Sequence, residues 1–577
     1  MQHDTWFGGE VSRAGLPAVG PSLGFLHIPD RGARGGVVIC PPLGYEQVLG
    51  YRGVRLLSQE LEAHGIASLR FDYVGEGDAS GETAVPDAGE RWLATIEQAV
   101  LTLRSAGIEH IVLAGLAAGA LLASEAARRL RSSGVELDGL VLWDPALSGR
   151  RFVRRQKSLF DLTVGEPATD PERLTLLSLT LHPAAVAWLE PVELAPVAVD
   201  ALALIRRAEL GSPIADRFVS ALPAGSSVVP VDGHAEWIEA PSALAVLPVE
   251  SIRTIVDWVD ARLPALAAPV SPRIRHEAQI ATAPDGTPVL ERLVRFGPEN
   301  LFAIETVREL DTDGHGDAAA PGGVFVLQPG AAEHRVGPGR FQVISARELA
   351  ARGTRVIRFD RRGTGDSTPV EVGEVNLIFA DAWIDDAETL VEQLVGDEPV
   401  AHVGLCSGAW VAARIADLRP TRLAVLMSPT YFKLQGMPAG GYAEAARKNA
   451  EGGPRLGDLK GRIRGMMPGW AWRVAARLQL FHDPETLLGP ATRRPGTTVA
   501  LLFTPDDTAN FAHHHGPGAV ARLRHRGADL RTTEYPFGDH SMFGARVRGA
   551  MLRDVLDLAE QTFPVPRRED SRTAAGA

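Results

Sequence analysis

The chain has 577 residues, too many for a single hydrophobic core, and its 71 acidic residues outnumber 59 basic ones to give a net charge of −12. It contains no basic block that could neutralise a run of phosphates, so nucleic acid is not an expected partner. The two cysteines, Cys40 and Cys406, fall in different halves of the chain, which excludes a disulfide framework and fits a reducing compartment.

The first residues lack the basic start and apolar run of a signal peptide. No apolar run approaches the roughly 20 residues that span a bilayer. The sequence therefore predicts a cytoplasmic protein that has no membrane partner.

In chain order, the first pattern is an apolar strand that leads into a Gly/Pro loop at residues 37–44. Further on, a short apolar strand precedes Gly-Leu-Ala-Ala-Gly at residues 115–119, and an alanine-rich helix is predicted over 118–130. The two glycines fit a sharp turn from strand to helix. Ala117, at the centre of that turn, has no atom that could attack a carbonyl carbon.

The middle of the chain predicts a linker between two domains. Residues 263–275 contain three prolines among small residues, which is typical of a semi-rigid connection. We predict one domain over residues 1–262 and a second over 276–563. The polar segment 564–577 is predicted to be a disordered tail.

The second half repeats the patterns of the first. Residues 324–331 again form an apolar strand and a Gly/Pro loop, and residues 358–366 align with 70–78. The offset between these two blocks differs by one residue from the offset between Ala117 and Cys406. Unrelated segments would not keep such spacing, so the sequence predicts the duplication of a whole domain.

The second turn differs from the first at its central residue. Residues 404–408 read Gly-Leu-Cys-Ser-Gly, which is the pattern of a nucleophile elbow with cysteine in place of the usual serine. A helix predicted over 407–418 places its N-terminus behind Cys406, and this position favours the reactive thiolate. The sequence thus predicts one elbow with a nucleophile and one without.

These patterns resemble the α/β-hydrolase superfamily, over nearly all of the chain outside the linker and the tail. The resemblance implies an α/β fold with two tandem α/β-hydrolase domains. Each would be a mostly parallel sheet flanked by helices, with a helical lid insertion at about residues 148–192 and 429–494.

The resemblance also implies a triad in the order nucleophile, acid, histidine. The acid would follow the apolar strand 499–503, with Asp507 as the first choice and Asp506 as the alternative. His540 would be the base, in a Gly-Asp-His segment after residues 532–537. A thiol needs such a base to ionise at neutral pH, and the carboxylate fixes the tautomer of the histidine.

The same family pattern implies two backbone donors for the oxyanion. One is the amide that follows the nucleophile, here Ser407, and we place the other at Ala331 in the first Gly-rich loop, within one residue. No cofactor and no metal ion are expected, because acyl transfer through a cysteine requires neither.

The first half lacks this set of residues. The position for the acid reads Arg-Arg-Ala-Glu at 206–209, and His234 is the one residue that resembles a triad member. We therefore predict a degenerate domain without covalent catalysis. It could form part of the second domain's pocket, bind a carrier protein or act as a folding partner.

A cysteine elbow resembles those of dienelactone hydrolases and polyhydroxyalkanoate synthases. Residues 333–338 and the elbow are also similar to hydrolases encoded near polyketide or peptide assembly lines, which suggests natural-product chemistry. Cysteine forms a thioester acyl-enzyme, which is energetically close to a thioester substrate. This favours a thioesterase or acyltransferase acting on a thioester or activated ester.

Two alternatives stay open at this point. The first is a cyclase that releases a chain by intramolecular acyl transfer, and the second is a binding scaffold without catalysis. The expected partner is a small-molecule acyl substrate, free or bound to a carrier protein or coenzyme A.

Overall fold

A computed structural model of the chain describes residues 1–9, 19–165, 173–309, 322–451 and 483–564. The chain forms two compact units. The first comprises Met1–Pro241, Ala245–Ala281 and Val370–Gly373, and the second comprises Ser242–Leu244, Thr282–Pro369 and Glu374–Ala577.

In the described part of the first unit, an eight-stranded sheet has helices on its faces. Its strands and those of a separate hairpin are β1 (Gln2–Phe7), β2 (Ser22–His27), β3 (Gly36–Cys40), β4 (Ala67–Phe71), β5 (Ile111–Leu116), β6 (Gly139–Trp143), β7 (Leu174–Leu176), β8 (Leu179–Leu181), β9 (Ala201–Arg206) and β10 (Ser227–Val231). The helices are α1 (Tyr45–Ala63), α2 (Ala88–Ser105), α3 (Ala118–Ser132), α4 (Gly149–Thr163), α5 (Pro183–Leu189), α6 (Pro213–Ser220), α7 (Ala235–Ile238) and α8 (Val249–Asp260).

The strand order of this sheet is β1-β2-β4-β3-β5-β6-β9-β10. Strands β1, β2 and β4 pair antiparallel, and the pairs from β4 to β10 are parallel. Every residue of the central strand β5 is buried, because a parallel sheet covered on both faces buries both sides of its strands. The insertion predicted at 148–192 contains α4 and α5, together with the hairpin β7–β8.

Residues 263–275, the predicted linker, form backbone hydrogen bonds within the first unit. The amides and carbonyls of Ala33 and Ala268 bond each other at 2.9 Å in both directions, and the Ser271 amide donates to the Ala106 carbonyl at 2.9 Å. The domain limits derived from the sequence stay a prediction.

The second sheet has nine strands in the described part of the chain, of which the last eight in chain order lie in the second unit. Its strands are β11 (Glu277–Thr282), β12 (Pro288–Phe296), β13 (Leu301–Arg308), β14 (Val324–Gln328), β15 (Arg355–Phe359), β16 (Val400–Leu405), β17 (Leu423–Met427), β18 (Thr498–Phe503) and β19 (Asp529–Glu534). The α-helices are α9 (Phe341–Ala351), α10 (Ala382–Leu390), α11 (Ser407–Leu418), α12 (Gly441–Glu451), α13 (Pro484–Ala491), α14 (Pro505–His513), α15 (Gly516–His525) and α16 (Ala545–Thr562), with a 3-10 turn at Pro338–Arg340 and a π-helical turn at Val391–Val395.

The strand order of the second sheet is β11-β12-β13-β15-β14-β16-β17-β18-β19. Pairs β12/β13 and β13/β15 are antiparallel, and every pair from β15 to β19 is parallel. Apart from β11, both sheets run in the same order, which confirms the predicted α/β class with two mostly parallel sheets flanked by helices. That they arose by duplication stays a prediction.

Two predicted segments of the second half fall wholly or partly outside the described residues. The insertion predicted at 429–494 is described up to Glu451 and again from Asp483, and these parts contain α12 and α13. Of the predicted tail 564–577, only Pro564 is described. No helix in the described part of the chain combines the length and the apolar character needed to cross a bilayer.

The parallel strands of the second sheet determine where the candidate site lies. The carboxyl ends of parallel strands meet at one edge of a sheet, and the loops that leave them converge there. Strands β14, β16, β18 and β19 are parallel, and the loops after them carry the residues that the sequence analysis singled out.

Candidate active site

Cys406 occupies a strained turn between β16 and α11. Strand β16 ends at Leu405 and the helix begins at Ser407, so Cys406 is the N-cap residue, with φ 54° and ψ −111°. A positive φ at a residue that is not glycine costs energy and persists where the surrounding structure imposes it. The turn is held by a hydrogen bond of 2.9 Å from the Cys406 amide to the Met427 carbonyl. The geometry is that of an elbow that presents its central side chain, which is partly exposed.

The two glycines of the elbow are required by close contacts. A Cβ atom at Gly404 would lie 2.2 Å from the carbonyl carbon of Gly408. A Cβ atom at Gly408 would lie 2.5 Å from the carbonyl oxygen of Gln328, at the end of β14. The elbow therefore packs backbone against backbone, both within itself and against the first loop.

Replacing Gly404 by alanine is expected to destabilise the protein by at least about 1–3 kcal/mol, because the new methyl group has to displace the first turn of α11. Gly549→Ala is the matched control. Gly549 lies inside α16, where a Cβ atom would meet only the flexible end of Arg553 at 3.7 Å. Alanine favours a helix interior, so this variant should be as stable as the wild type or more stable. Urea denaturation compares the three proteins, and equal midpoints for both variants would contradict the prediction.

Asp507 and His540 form a direct hydrogen bond. The distance from His540 Nδ1 to Asp507 Oδ1 is 2.7 Å, and the hydroxyl of Thr504 donates to Asp507 Oδ2 at 2.6 Å. Asp507 is buried in the first turn of α14, where the helix dipole favours a negative charge. Asp506, its neighbour, is exposed. The structure thus brings Asp507 to His540 and leaves the alternative acid at the surface.

The imidazole of His540 is also coupled electrostatically to the side chain of Cys406. Burial by itself lowers the pKa of His540, but the hydrogen bonds and charges of Asp507 and Cys406 outweigh it and raise the pKa to about 11. Burial raises the pKa of Asp507, yet its hydrogen bond with His540 leads the contributions that bring the pKa below the usual range. The imidazole is hydrogen-bonded to the Asp507 carboxylate and electrostatically coupled to Cys406, so it readily holds a proton.

The two predicted oxyanion donors lie at the elbow. Ser407 is the first residue of α11, where backbone amides have no acceptor within the helix. Ala331 has a φ of 42°, and its amide has no acceptor among the described residues. The loop before it packs on the elbow, since a Cβ atom at Gly330 would lie 3.2 Å from the Leu405 carbonyl oxygen.

Three further residues near Cys406 were missed by the sequence analysis. Arg361 is fully buried and donates from Nη2 to the Ala331 carbonyl at 2.8 Å. The hydroxyl of Thr430 is 3.9 Å from the Cys406 sulfur, and the pKa of Tyr442 is raised by burial and by the charge of Cys406. Arg361 stands in the repeated block 358–366 and could have been found by comparing the halves. Thr430 and Tyr442 lie in the insertion and follow no motif.

The surroundings of Cys406 include two buried apolar clusters. Cys406 packs against a buried apolar cluster of the second unit together with other partly buried side chains. These include Ala332, Leu377, Leu434 and Met437. Apolar packing at Cys406 suits a hydrocarbon group next to the reacting atom.

The first unit has the same turn without the same chemistry. Ala117 has φ 51° and ψ −117°, close to the angles of Cys406. His234 is buried and accepts a hydrogen bond of 2.8 Å from the Trp143 indole, while Glu209 forms an ion pair of 2.8 Å with Arg151. The histidine and the nearest counterpart of the acid are therefore engaged with other residues.

Within the described residues, no group of three or more histidine, cysteine or acidic side chains is arranged to hold a metal ion. Cys40, the second cysteine, lies in β3 and is fully buried. Burial raises the pKa of its thiol far above the usual range.

Residues 315–549 match the model of the alpha/beta hydrolase family, which covers less than half of the chain. No curated protein matches the chain significantly. Among solved structures, the chain is similar to alpha/beta hydrolase domain-containing protein 10 from mouse, with 15% identity, 47% of this chain and 98% of that chain covered, and a TM-score of 0.28.

It is also similar to Est1E from Butyrivibrio proteoclasticus with bound ferulic acid, with 15% identity and a TM-score of 0.33. The match covers 44% of this chain and 97% of that chain. An esterase from Pyrococcus furiosus matches with 13% identity and a TM-score of 0.28, over 47% of this chain and 91% of that chain. The function proposed below therefore rests on the residues of the site and not on these likenesses.

Proposed function

We propose that this chain, whose residues 315–549 match the alpha/beta hydrolase family, is a cysteine-dependent acyl-enzyme catalyst. It would act on a thioester or activated ester and transfer the acyl group to water or another nucleophile. The observation that carries the proposal is the 2.7 Å hydrogen bond between His540 and Asp507, with Cys406 at the elbow contributing to the raised pKa of the same imidazole.

The first half-reaction forms the acyl-enzyme. His540 holds the proton of the Cys406 thiol, and the thiolate attacks the carbonyl carbon of the substrate, so that a carbon–sulfur bond forms and the carbonyl oxygen becomes an anion. When this intermediate collapses, the bond to the leaving thiolate or alkoxide breaks. The leaving group takes the proton from His540. Asp507 orients the imidazole and stabilises its charged form throughout.

The anionic oxygen needs donors in place before the reaction. The amides of Ser407 and Ala331 are proposed for this role, because one begins a helix and the other has no acceptor in the described part of the chain. Removing a single donor of this kind typically costs about 10²–10³-fold in turnover.

The second half-reaction regenerates the free enzyme from the acyl-enzyme. His540 takes a proton from water, an alcohol or an amine, and the resulting nucleophile attacks the acyl carbon. The bond between the acyl carbon and the Cys406 sulfur then breaks, and the product leaves with the acyl group. Deacylation by water gives a thioesterase, and deacylation by another nucleophile gives an acyltransferase.

The substrate class follows from the nucleophile and its surroundings. A thioester acyl-enzyme is energetically close to a thioester substrate, so the transfer from one sulfur to another costs little. The apolar cluster against which Cys406 packs suits an acyl chain. A carrier protein or coenzyme A would present such a chain, and natural-product biosynthesis is one setting for this reaction. The first unit is proposed to be non-catalytic.

Intact mass spectrometry with a panel of acyl thioesters of increasing chain length tests the proposal. We expect each good substrate to add the mass of its acyl group to the protein and peptide mapping to place it on Cys406. Adding an alcohol or an amine separates the two fates, because a transferase gives the ester or amide and a thioesterase gives the free acid.

The two alternatives give different products. A thioester with a terminal hydroxyl group would yield a cyclic ester if the enzyme is a cyclase, with His540 deprotonating that hydroxyl. A scaffold would give neither an acyl adduct nor a label from iodoacetamide, and it would bind a carrier tightly. The absence of an adduct and of any product over the whole panel would contradict the proposed function.

A further inference from the structure

We infer that Arg361 is a positioning residue of this site, which fixes the loop of Ala331 and acts as the internal counter-charge of the anion that forms at Cys406. The inference rests on the proposed function and names a side chain that stabilises the thiolate and the oxyanion of that reaction. Arg361 follows β15 and faces the first Gly-rich loop rather than solvent.

The guanidinium of Arg361 contacts the loop that packs on the elbow. Its Nη2 donates to the carbonyl oxygen of Ala331 at 2.8 Å and approaches that of Gly330 at 3.4 Å. Gly330 in turn packs on the carbonyl of Leu405, the residue before the nucleophile. Ala331 has a φ of 42°, its carbonyl accepts from Arg361, and its amide has no acceptor among the described residues.

Arg361 has no carboxylate partner of its own in the described part of the chain. The two nearest candidates are engaged elsewhere, since Asp386 accepts from the amide and side chain of Arg362, and Asp360 accepts from Arg335. The guanidinium stacks on the ring of Trp383 at 3.5 Å, and its Nε and Nη1 have no acceptor among the described residues. A buried cation without a pair is costly, so a negative charge that appears nearby is strongly favoured.

Charges from all sides act on this guanidinium. Burial lowers the pKa of Arg361 to about 9, although the charges of Asp386, Cys406, Asp360 and Glu333 act to raise it. Of these groups, Cys406 is the one that the proposed reaction charges and discharges. The cation would therefore stabilise the thiolate and, through the amide of Ala331, the oxyanion.

A direct role in binding a substrate carboxylate does not fit. Arg361 is 0% exposed, so a substrate would first have to displace the loop that carries Ala331. The first unit supports an internal role, because Tyr73 stands at the equivalent position of its repeated block. The hydroxyl of Tyr73 donates to the Pro41 carbonyl at 3.1 Å and holds the corresponding loop with a neutral group. The unit with Ala117 in its elbow thus has no cation there.

Alkylation and acylation of the full-length protein test the inference. The rate of Cys406 alkylation by iodoacetamide, measured from pH 5 to 10, reports the stability of the thiolate without any substrate. For Arg361→Met we expect the pH of half-maximal alkylation to rise by at least one unit and acylation by a thioester to slow by about 10²-fold. Arg361→Lys, which keeps the charge but not the planar fork, should recover the alkylation profile and only part of the acylation rate.

Arg414→Met is the matched control, since Arg414 lies on α11 near the ring of Trp410 and does not contact the Ala331 loop. Its alkylation profile should equal that of the wild type. Thermal melting identifies a variant that fails to fold, and in that case the comparison of Arg361→Lys with the wild type decides. Unchanged alkylation and acylation in a folded Arg361→Met protein would overturn the inference and leave the proposed function standing. A wild type that alkylates but is never acylated would overturn the proposed function, while the alkylation profiles still test the counter-charge.

Discussion

Replacing Cys406 by alanine is expected to abolish turnover of acyl thioesters, with a loss on the order of 10⁴-fold or more. The sulfur is the atom proposed to form the covalent bond, and the His540–Asp507 pair has nothing to activate once it is gone. The variant should fold normally, because Ala117 occupies a turn with nearly the same angles in the first unit. Steady-state kinetics and intact mass spectrometry measure the effect.

The chain supplies its own control for this experiment. Cys40 is the other of the chain's two cysteines, and it is fully buried in β3. Burial raises the pKa of the Cys40 thiol, so it stays protonated and unreactive. Cys40→Ala should keep the acyl adduct and the turnover of the wild type. An adduct that persists in Cys406→Ala and disappears in Cys40→Ala would refute the assignment of the nucleophile.

Replacing Asp507 by asparagine is expected to lower kcat by about 10²–10⁴-fold. The amide keeps the shape of the carboxylate but loses its charge, and it can present a donor where His540 Nδ1 needs an acceptor. The hydrogen bond and charge of Asp507 contribute to a raised pKa of about 11 at His540, so that pKa must fall when the carboxylate is removed. A histidine that loses its proton at lower pH stops acting as an acid at lower pH. The alkaline limb of kcat/KM should therefore move to lower pH.

Asp506→Asn is the matched control for that variant. Both aspartates lie in the first turn of α14, so each substitution removes the same charge from the same helix N-terminus, but Asp506 is exposed whereas Asp507 is buried and hydrogen-bonded to His540. We expect its kcat to stay within about twofold of the wild type, since surface substitutions away from a site have small effects. A larger loss in Asp506→Asn than in Asp507→Asn would reverse the assignment of the acid.

Local patterns were sufficient to predict the elbow. Its glycines are needed because backbone atoms lie 2.2–2.5 Å from where a Cβ atom would be. The pattern of residues 404–408 shows both glycines directly. Periodic apolar strands followed by helices likewise predicted the parallel sheets. Neither prediction depended on knowing which distant segments touch.

Other features required the fold. The sequence could not separate Asp507 from Asp506, because adjacent residues in one turn differ only in the direction of their side chains. The role of Arg361 was also out of reach, since it depends on a contact with Ala331, 30 residues earlier, and on burial against Trp383. Thr430 and Tyr442 belong to an insertion without a motif, so only the folding of that segment shows them near Cys406.

The sequence by itself determined the α/β class and the difference between Ala117 and Cys406, because these follow from residue type and short-range spacing. The tertiary structure decided which carboxylate meets His540 and which buried cation contacts the loop of Ala331. Those features are set by long-range packing of strand ends at one edge of the sheet, and neighbouring positions in a sequence carry no record of that packing.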